Sequence, residues 1–153
     1  MFRKILVAND GSAGARRALA IALDLAARYG AQVHAISVEE GLPHYAATID
    51  EVDAVKEQEN HYFEQVAAEA RSMAAARGVS LQTHILPGHE VETIIRFCLE
   101  GGFDLLVVGF MGHSRIFERI WGSTSQSLTR LAPCSVLVAK DTPGDPMDMV
   151  TED

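Results

Sequence analysis

Five short runs of apolar residues alternate with longer segments in which apolar positions recur with a helical period. The runs are Ile5 to Ala8, Val33 to Val38, Leu81 to Leu86, Leu105 to Val108 and Val136 to Ala139. Three of them are continuous, which is typical of strands that helices cover on both faces. The resulting β-α-β-α-β-α-β-α-β order, with right-handed crossovers, predicts a single-domain α/β fold: a doubly wound, five-stranded parallel sheet with four helices.

Capping and stop residues bound the four helical segments. We expect helices from Ser12 to Gly30, from Thr48 to Gly78, from Glu90 to Glu100 and from Gly122 to Leu131. The second segment, with a capping box at its start, would reach roughly 45 Å, so its first turns should project, fray or act as a lid. In the third, the apolar stripe should face the core; it consists of Val91, Ile94, Ile95, Cys98 and Leu99.

Length and composition indicate an ordinary globular domain. The chain has 153 residues, of which 48% are hydrophobic. Since no apolar run is long enough to span a membrane and no export signal is recognisable, we expect no membrane contact and a cytoplasmic location. Residues 141–153 contain prolines and acids but no base, which predicts a loose acidic tail after a domain over residues 1–140.

The formal net charge of −8 limits the possible partners. A nucleic-acid surface would need clustered Lys and Arg, so no nucleic-acid partner is expected. A phosphate ligand would also be repelled at long range. It would need local positive potential from helix termini, backbone amides, a metal ion or the nearby His113, Arg115 and Arg119.

A glycine-rich segment follows the fourth apolar run. Gly109 ends the run, Gly112 follows it, and after nine further residues Gly122 precedes Ser123 and Thr124. Strand ends border the ligand crevice of such a sheet, glycines admit an anion close to backbone amides, and a helix N-terminus suits phosphate. Each glycine alone fits ordinary loop chemistry, but the spacing and the two hydroxyls together favour a phosphate site.

Two common nucleotide motifs are absent. No Gly-Lys-Ser/Thr follows a spaced glycine, so the lysine of Walker-type hydrolysis is missing. Residues 9–14 lack the G-x-G-x-x-G fingerprint, although Glu39 or Glu40 could mimic its ribose-binding acid, so NAD is poorly supported. Ser12, Ser123 and Ser125 have no nucleophile elbow around them and are expected to be helix caps. No catalytic residue is predicted.

The chain resembles the universal stress protein family from Ile5 to Ala139. The segment from Ile5 to Ser12 is similar to that family's first strand and loop, and the glycine spacing from Gly109 to Thr124 matches its ATP-binding branch. The resemblance implies a Rossmann-like fold of the adenine-nucleotide-binding type and a role in stress adaptation. It also implies a homodimer formed through the last strand, Val136 to Ala139.

For the base and ribose, the resemblance implies three positions. Asp10 would contact the ribose, and backbone atoms around Ala8 and Val38 would frame the adenine. Without the family, Asp10 is explained equally well as a turn residue. Asn9 is polar where the family usually has an apolar residue, and it either reshapes the adenine edge or faces solvent.

For the phosphates of ATP, bound with Mg²⁺, the resemblance implies the glycine-rich segment. Gly109 and Gly112 would approach the ribose and α-phosphate. The remaining phosphates would meet Gly122, Ser123 and Thr124. Both His113 and Arg115 could neutralise phosphate charge, or could be solvated. Metal-binding residues are not specified, and the six histidines show no ligand spacing.

Three functions stay open. The first is an ATP-binding, nucleotide-responsive homodimer with slow or no hydrolysis. The second is a slow ATPase or nucleotidyl-transfer enzyme that uses His113 or Arg115. The third is a nucleotide-independent interaction or chaperone-like dimer in which the glycines are structural. The cysteines, Cys98 and Cys134, are distant in sequence and form no C-x-x-C pair, so both are expected to be buried, inert thiols.

Overall fold

The computed structural model describes residues 1–40, 49–110 and 123–140, which form one parallel sheet covered by helices. The strands are β1 (Lys4–Ala8), β2 (Gln32–Glu39), β3 (Leu81–Pro87), β4 (Leu105–Gly109) and β5 (Ser135–Ala139). The helices are α1 (Ala13–Tyr29), α2 (Ile49–Ala76), α3 (Glu90–Gly101) and α4 (Ser123–Leu131). The predicted five-stranded α/β fold with four helices is thus confirmed, with each strand end shifted by no more than one residue.

The strand order across the sheet is β3-β2-β1-β4-β5, and every neighbouring pair is parallel. The chain therefore builds outward from β1 to β3 and then crosses back to add β4 and β5 on the other side. In the central pair, Val7 lies opposite Val107. A crevice is expected where the order reverses, at the carboxyl ends of β1 and β4.

Alternate residues of the central strands feed two apolar layers. Val7 and Val107 lie in the layer beneath α1 and α2, whereas Leu6 and Leu106 lie in the layer beneath α3 and α4. All four are fully buried. Burying a side chain of this size contributes roughly 1.5–3 kcal/mol to the free energy of unfolding. Because both faces of the central strands are buried, apolar residues occupy consecutive positions along them.

Helix α1 matches its predicted limits. The Ser12 hydroxyl accepts a hydrogen bond from the Ala15 N–H at 3.2 Å, and Gly30 closes the helix in the left-handed conformation at φ 67°. The predicted inner stripe is buried throughout; it consists of Ala15, Leu19, Ala22, Leu23 and Ala26.

On α3, one predicted core residue is misplaced. Ile94 and Cys98 are buried, but Leu99 is 66% exposed, so its expected inward position is wrong. Leu99 lies about 100° around the helix from Cys98 and in the last turn, where the sheet no longer covers it. Phe97 packs against the core instead.

Helix α2 is packed only along its later turns. The buried positions begin at Phe63 and continue with Val66, Ala67, Ala70 and Ala74. Of the side chains described from Glu51 to Tyr62, all are exposed except half-buried Glu59, so the first turns project as expected. The capping box at Thr48 and the tail over 141–153 lie outside the described residues. Along the described ranges, no helix has the length and apolar character that a membrane span requires.

His34 on β2 and His84 on β3 are joined by a hydrogen bond between their ring nitrogens. The rings of His34 and His84 are parallel within 3°, and His34 Nδ1 lies 2.8 Å from His84 Nε2. Burial lowers the pKa of both rings, and for His34 the charges of His84 and Lys4 lower it further. One ring must accept the hydrogen bond, so the pair is stable only while at least one ring is neutral.

Candidate functional site

The chain turns sharply where β1 ends. The Asn9 N–H donates to the Ile36 carbonyl at 2.9 Å, and the Ser37 hydroxyl donates to the Asn9 carbonyl at 2.7 Å. The Asn9 side chain is 5% exposed, and its Oδ1 accepts from the Gly11 N–H at 3.2 Å. The interpretation that Asn9 faces solvent is therefore wrong, and its amide helps to shape the edge of the sheet. Since Ala8 precedes Asn9 directly, its backbone reaches the same edge.

Asp10 forms the next part of this turn. Its Oδ1 accepts a hydrogen bond from the Ser12 N–H at 2.9 Å, an Asx turn that leads into α1. The Tyr62 hydroxyl donates to the Asp10 carbonyl at 2.7 Å. The turn role of Asp10 is thus present, and it fixes the carboxylate at the carboxyl edge of β1.

Helix α2 packs directly against the turn that follows β1. Gly11 has φ 82°, and a Cβ there would lie 2.7 Å from Val66 Cγ2 and would overlap the Tyr62 hydroxyl. Burial, and then the charge of Asp10, raises the pKa of Tyr62. Sequence reasoning missed Tyr62, although its spacing of four residues from Val66 places the two on the same face of α2.

A cavity of about 220 Å³ opens beside the turn, between the ends of β1 and β2 and helices α2 and α3. Its apolar walls are Ile36, Val38, Phe63 and Ile94, and Asn9 borders it. A second hollow of about 350 Å³ continues from it along α2 and shares two of its lining residues. Asp10 and Val38, both predicted for the ribose and base, therefore line one cavity.

The rim of this cavity is acidic. Four carboxylates line it: Asp10, Glu40, Glu59 and Glu90. Burial raises the pKa of Glu59, and the charges of Glu39 and Glu40 raise it further. The negative potential of these groups suits polar hydrogen-bond donors and opposes a phosphate, so an anionic group would have to lie elsewhere along the edge.

Across the switch point, Gly109 ends β4 beneath the first turn of α1. A Cβ on Gly109 would lie 2.8 Å from the Gly14 carbonyl carbon and 3.2 Å from the Ala15 nitrogen. Glycine is thus required here by the close approach of two backbones. No local pattern predicts this contact, because the two glycines are distant along the chain.

Helix α4 is tied to the same strand end. The hydroxyl of buried Ser125 donates to the Gly109 carbonyl. Ser125 therefore links α4 to β4, and its predicted role as a cap is wrong. Ser12 does act as the predicted cap. Ser123 is exposed and Thr124 half-buried in the first turn of α4, where backbone N–H groups lack helical acceptors.

The structure brings only part of the predicted phosphate site together. It joins Gly109 to the start of α4 through Ser125. Four predicted positions, Gly112, His113, Arg115 and Gly122, lie outside the described residues. Within the described part of the chain, no group of three or more His, Cys, Asp or Glu side chains is arranged to hold a metal ion.

Comparisons with known proteins agree with this architecture. A model described as the universal stress protein family matches residues 1–140. A universal stress protein of Thermus aquaticus is 33% identical over 141 residues, covering 92% of this chain and 100% of the relative. The structure of universal stress protein UspA from Lactobacillus plantarum superposes with a TM-score of 0.82 at 25% identity, covering 90% of this chain and 97% of that one.

A more distant solved structure shares the fold. It is a universal stress protein family protein from Arabidopsis thaliana with AMP bound. Its TM-score is 0.65 at 19% identity, and the match covers 94% of this chain and 97% of that one.

Proposed function

The chain belongs to the universal stress protein family, and we propose that it is an ATP-binding, nucleotide-responsive homodimer that acts in stress adaptation. One observation carries the proposal. The fixed turn at Asp10, the adjoining cavity and the start of α4 lie along one carboxyl edge of the sheet, next to the switch point. Ligands of open α/β sheets bind at such points. That a protein of the same fold holds AMP also supports it.

The cavity fits the base and ribose end of the ligand. Its apolar walls, including Val38 and Ile36, would contact the two faces of a planar base, and Asn9 would offer its amide to the edge. The carboxylate of Asp10 would accept hydrogen bonds from ribose hydroxyls. Amine and hydroxyl donors are the groups that an acidic rim attracts.

The phosphate end would lie toward α4. Glu40 and Glu59 oppose a phosphate in the cavity, whereas the N–H groups and the dipole at the start of α4 favour one. In this arrangement Ser123 and Thr124 donate to phosphate oxygens, and Gly109 lies beneath the ribose. The sequence motif adds Gly112, His113, Arg115 and Gly122 to this end.

Mg²⁺ would bind together with ATP rather than at a site made only of protein ligands. Mg²⁺ usually keeps several waters and is held largely by substrate phosphates. The described residues offer no cluster of three metal ligands. The hydroxyls at the start of α4 are the described groups nearest to where the phosphates would lie, and they would contact the metal's water shell.

In the proposed mechanism, the protein acts by binding the nucleotide rather than by hydrolysing it. A bound nucleotide would bridge the Asp10 turn and α4, and it would favour whichever conformation it binds more tightly. Walker-type phosphoryl-transfer groups are missing from the sequence, so hydrolysis should be slow or absent. The cytoplasmic location and the division into a domain over 1–140 and a tail over 141–153 are further parts of the proposal.

We place the dimer contact at β5. This strand lies at the edge of the sheet and pairs with β4 on one side. A second copy could pair with its other side, which would protect an apolar edge from indiscriminate association. Light scattering on the purified chain, with and without residues 141–153, tests the stoichiometry.

Calorimetric titration tests the nucleotide assignment. ATP, AMP and inorganic triphosphate should be titrated separately, with and without Mg²⁺. We expect one site per chain for ATP, weaker binding of AMP, and no detectable binding of triphosphate without the base. Failure of ATP to bind a folded protein would overturn the proposal.

A nucleotide-independent interaction module is the second candidate. The Gly109 contact with Gly14 favours it, because that glycine is required by packing whether or not a ligand binds. Partner capture that ATP does not alter would support this function.

A further inference from the structure

Two thiols that are distant in sequence meet between α3 and the connection from α4 to β5. The Sγ atoms of Cys98 and Cys134 lie 3.3 Å apart, and both residues are free cysteines. Cys98 is 1% exposed, whereas Cys134 is half-buried. The expectation that both thiols are buried is therefore confirmed for Cys98 and wrong for Cys134, which remains partly accessible.

The surroundings assign different roles to the two sulfurs. Cys98 lies in an apolar cluster with Leu106 and Leu128. Burial, together with the hydrogen bond to Cys134, raises the pKa of Cys98 to about 12, so its thiol stays protonated. Cys134 follows Pro133 outside the helix and strand and is the thiol that a dissolved oxidant reaches first.

We propose that Cys98 and Cys134 are a redox modification site, which a hydroperoxide converts to a reversible intramolecular disulfide. In the first step, the Cys134 thiolate attacks a peroxide oxygen, forming a sulfenic acid and releasing hydroxide or alkoxide. In the second, the Cys98 sulfur attacks the sulfenic sulfur, and its proton leaves with the hydroxyl group as water. The two thiols lose two electrons in total, and the O–O bond gains them.

The local fold allows the sulfurs to close to bonding distance. A disulfide requires about 2.05 Å between the sulfurs, so they must approach by little more than 1 Å. The hydrogen-bonded register of β5 with β4 begins at Ser135, after Cys134. Cys134 lies between the last helical hydrogen bond, from the Ala132 N–H to the Leu128 carbonyl, and that ladder, so it can shift without breaking either.

The cross-link would close a large loop. The two cysteines are 36 residues apart, and β4, α4 and the segment between them lie inside that span. A disulfide would hold α3 against the start of β5 and restrict the unfolded chain. This inference does not depend on nucleotide binding.

Peroxide titration of the reduced full-length chain tests the site. After treatment with hydrogen peroxide, the protein is denatured, alkylated with iodoacetamide and weighed intact. We expect both alkylations to disappear, a loss of two hydrogens, one Cys98–Cys134 peptide and full reversal by dithiothreitol. The oxidised protein should melt roughly 5–15 °C higher than the reduced one.

Other products would overturn the proposal. They are a disulfide between two chains, sulfinic acid at Cys134 with Cys98 still alkylated, or two free thiols after peroxide treatment.

The single variants form a matched pair of controls. In Cys98→Ser, peroxide should leave a sulfenic acid at Cys134 that dimedone labels, without a rise in Tm. In Cys134→Ser, the buried Cys98 should stay reduced. A peroxide-induced rise in Tm in either variant would contradict the assignment. Mapping of the unaltered chain remains decisive if Cys98→Ser does not fold.

Discussion

Gly109 and Gly14 are in direct backbone contact across the switch point of the sheet. A Cβ on Gly109 would come within 2.8 Å of the Gly14 carbonyl carbon. The first turn of α1 therefore lies closer to the end of β4 than any side chain at position 109 would permit. This contact fixes the distance between the Asp10 turn and the start of α4, the two ends of the proposed nucleotide site.

The Gly109→Ala variant should lower the free energy of unfolding by about 3 kcal/mol, because the new methyl group meets backbone that cannot rotate away. Urea unfolding measures the change. Gly102→Ala is the matched control: Gly102 has φ 65° and open space around it, so only backbone strain, about 1 kcal/mol, is expected. Equal losses in the two variants would show that α1 moves aside easily.

The Asp10→Asn variant distinguishes the role of Asp10 in the turn from its proposed role in ligand binding. Asparagine keeps the Oδ1 acceptor for the Ser12 N–H, so the Tm should change little. It loses the charge and one acceptor for ribose hydroxyls, so ATP affinity should fall roughly tenfold. Asp24→Asn, on the exposed face of α1, is the control. Unchanged affinity at normal stability would remove Asp10 from the site.

Two serines at the start of α4 should respond differently to alanine. Ser125→Ala removes the hydroxyl that donates to the half-buried Gly109 carbonyl and should cost about 0.5–1.5 kcal/mol of stability. Ser123 is exposed, so Ser123→Ala should change stability by less than about 0.5 kcal/mol while weakening ATP binding. Denaturant titration and calorimetry on both variants measure the two effects. A larger loss of stability in Ser123→Ala than in Ser125→Ala would contradict the roles assigned to the two serines.

Acid should destabilise the fold through the histidine pair. Because the pKa of His34 and of His84 is lowered in the folded protein, the unfolded chain binds protons more readily once the pH falls below about 6.5. The free energy of unfolding should therefore be constant above that pH and decrease as the pH falls toward the lowered values. Urea titrations at about pH 8, 6 and 5 test this.

The His84→Gln variant is the control for this pH dependence. Glutamine keeps a hydrogen-bonding group next to His34 but removes one proton-binding site. The slope of stability against pH should become shallower. If the slope is the same, other groups cause the acid sensitivity.

The strands could be predicted from sequence because burial on both faces leaves a local mark, a continuous apolar run such as Leu105 to Val108. Helix limits could be predicted for a similar reason, since Ser12 and Gly30 act on the residues beside them. The predicted inward position of Leu99 was wrong because the helical period identifies an apolar stripe but not how far the sheet covers it.

The contacts that assemble the site have no local sequence pattern that would predict them. Tyr62 and Asp10 are 52 residues apart, and Ser125 and Gly109 are 16 apart. The meeting of Cys98 with Cys134 likewise depends on how α3 and β5 pack together. The sequence could indicate which residues carry suitable chemistry, whereas their mutual positions follow from the tertiary fold.

The four carboxylates around the small cavity have a consequence for selectivity. Shape alone would let an elongated guest enter with either end first. With Asp10, Glu40, Glu59 and Glu90 at the rim, the negative potential should disfavour entry of an anionic end. In the proposed binding mode, charge as well as shape would therefore decide which end of the nucleotide enters the cavity.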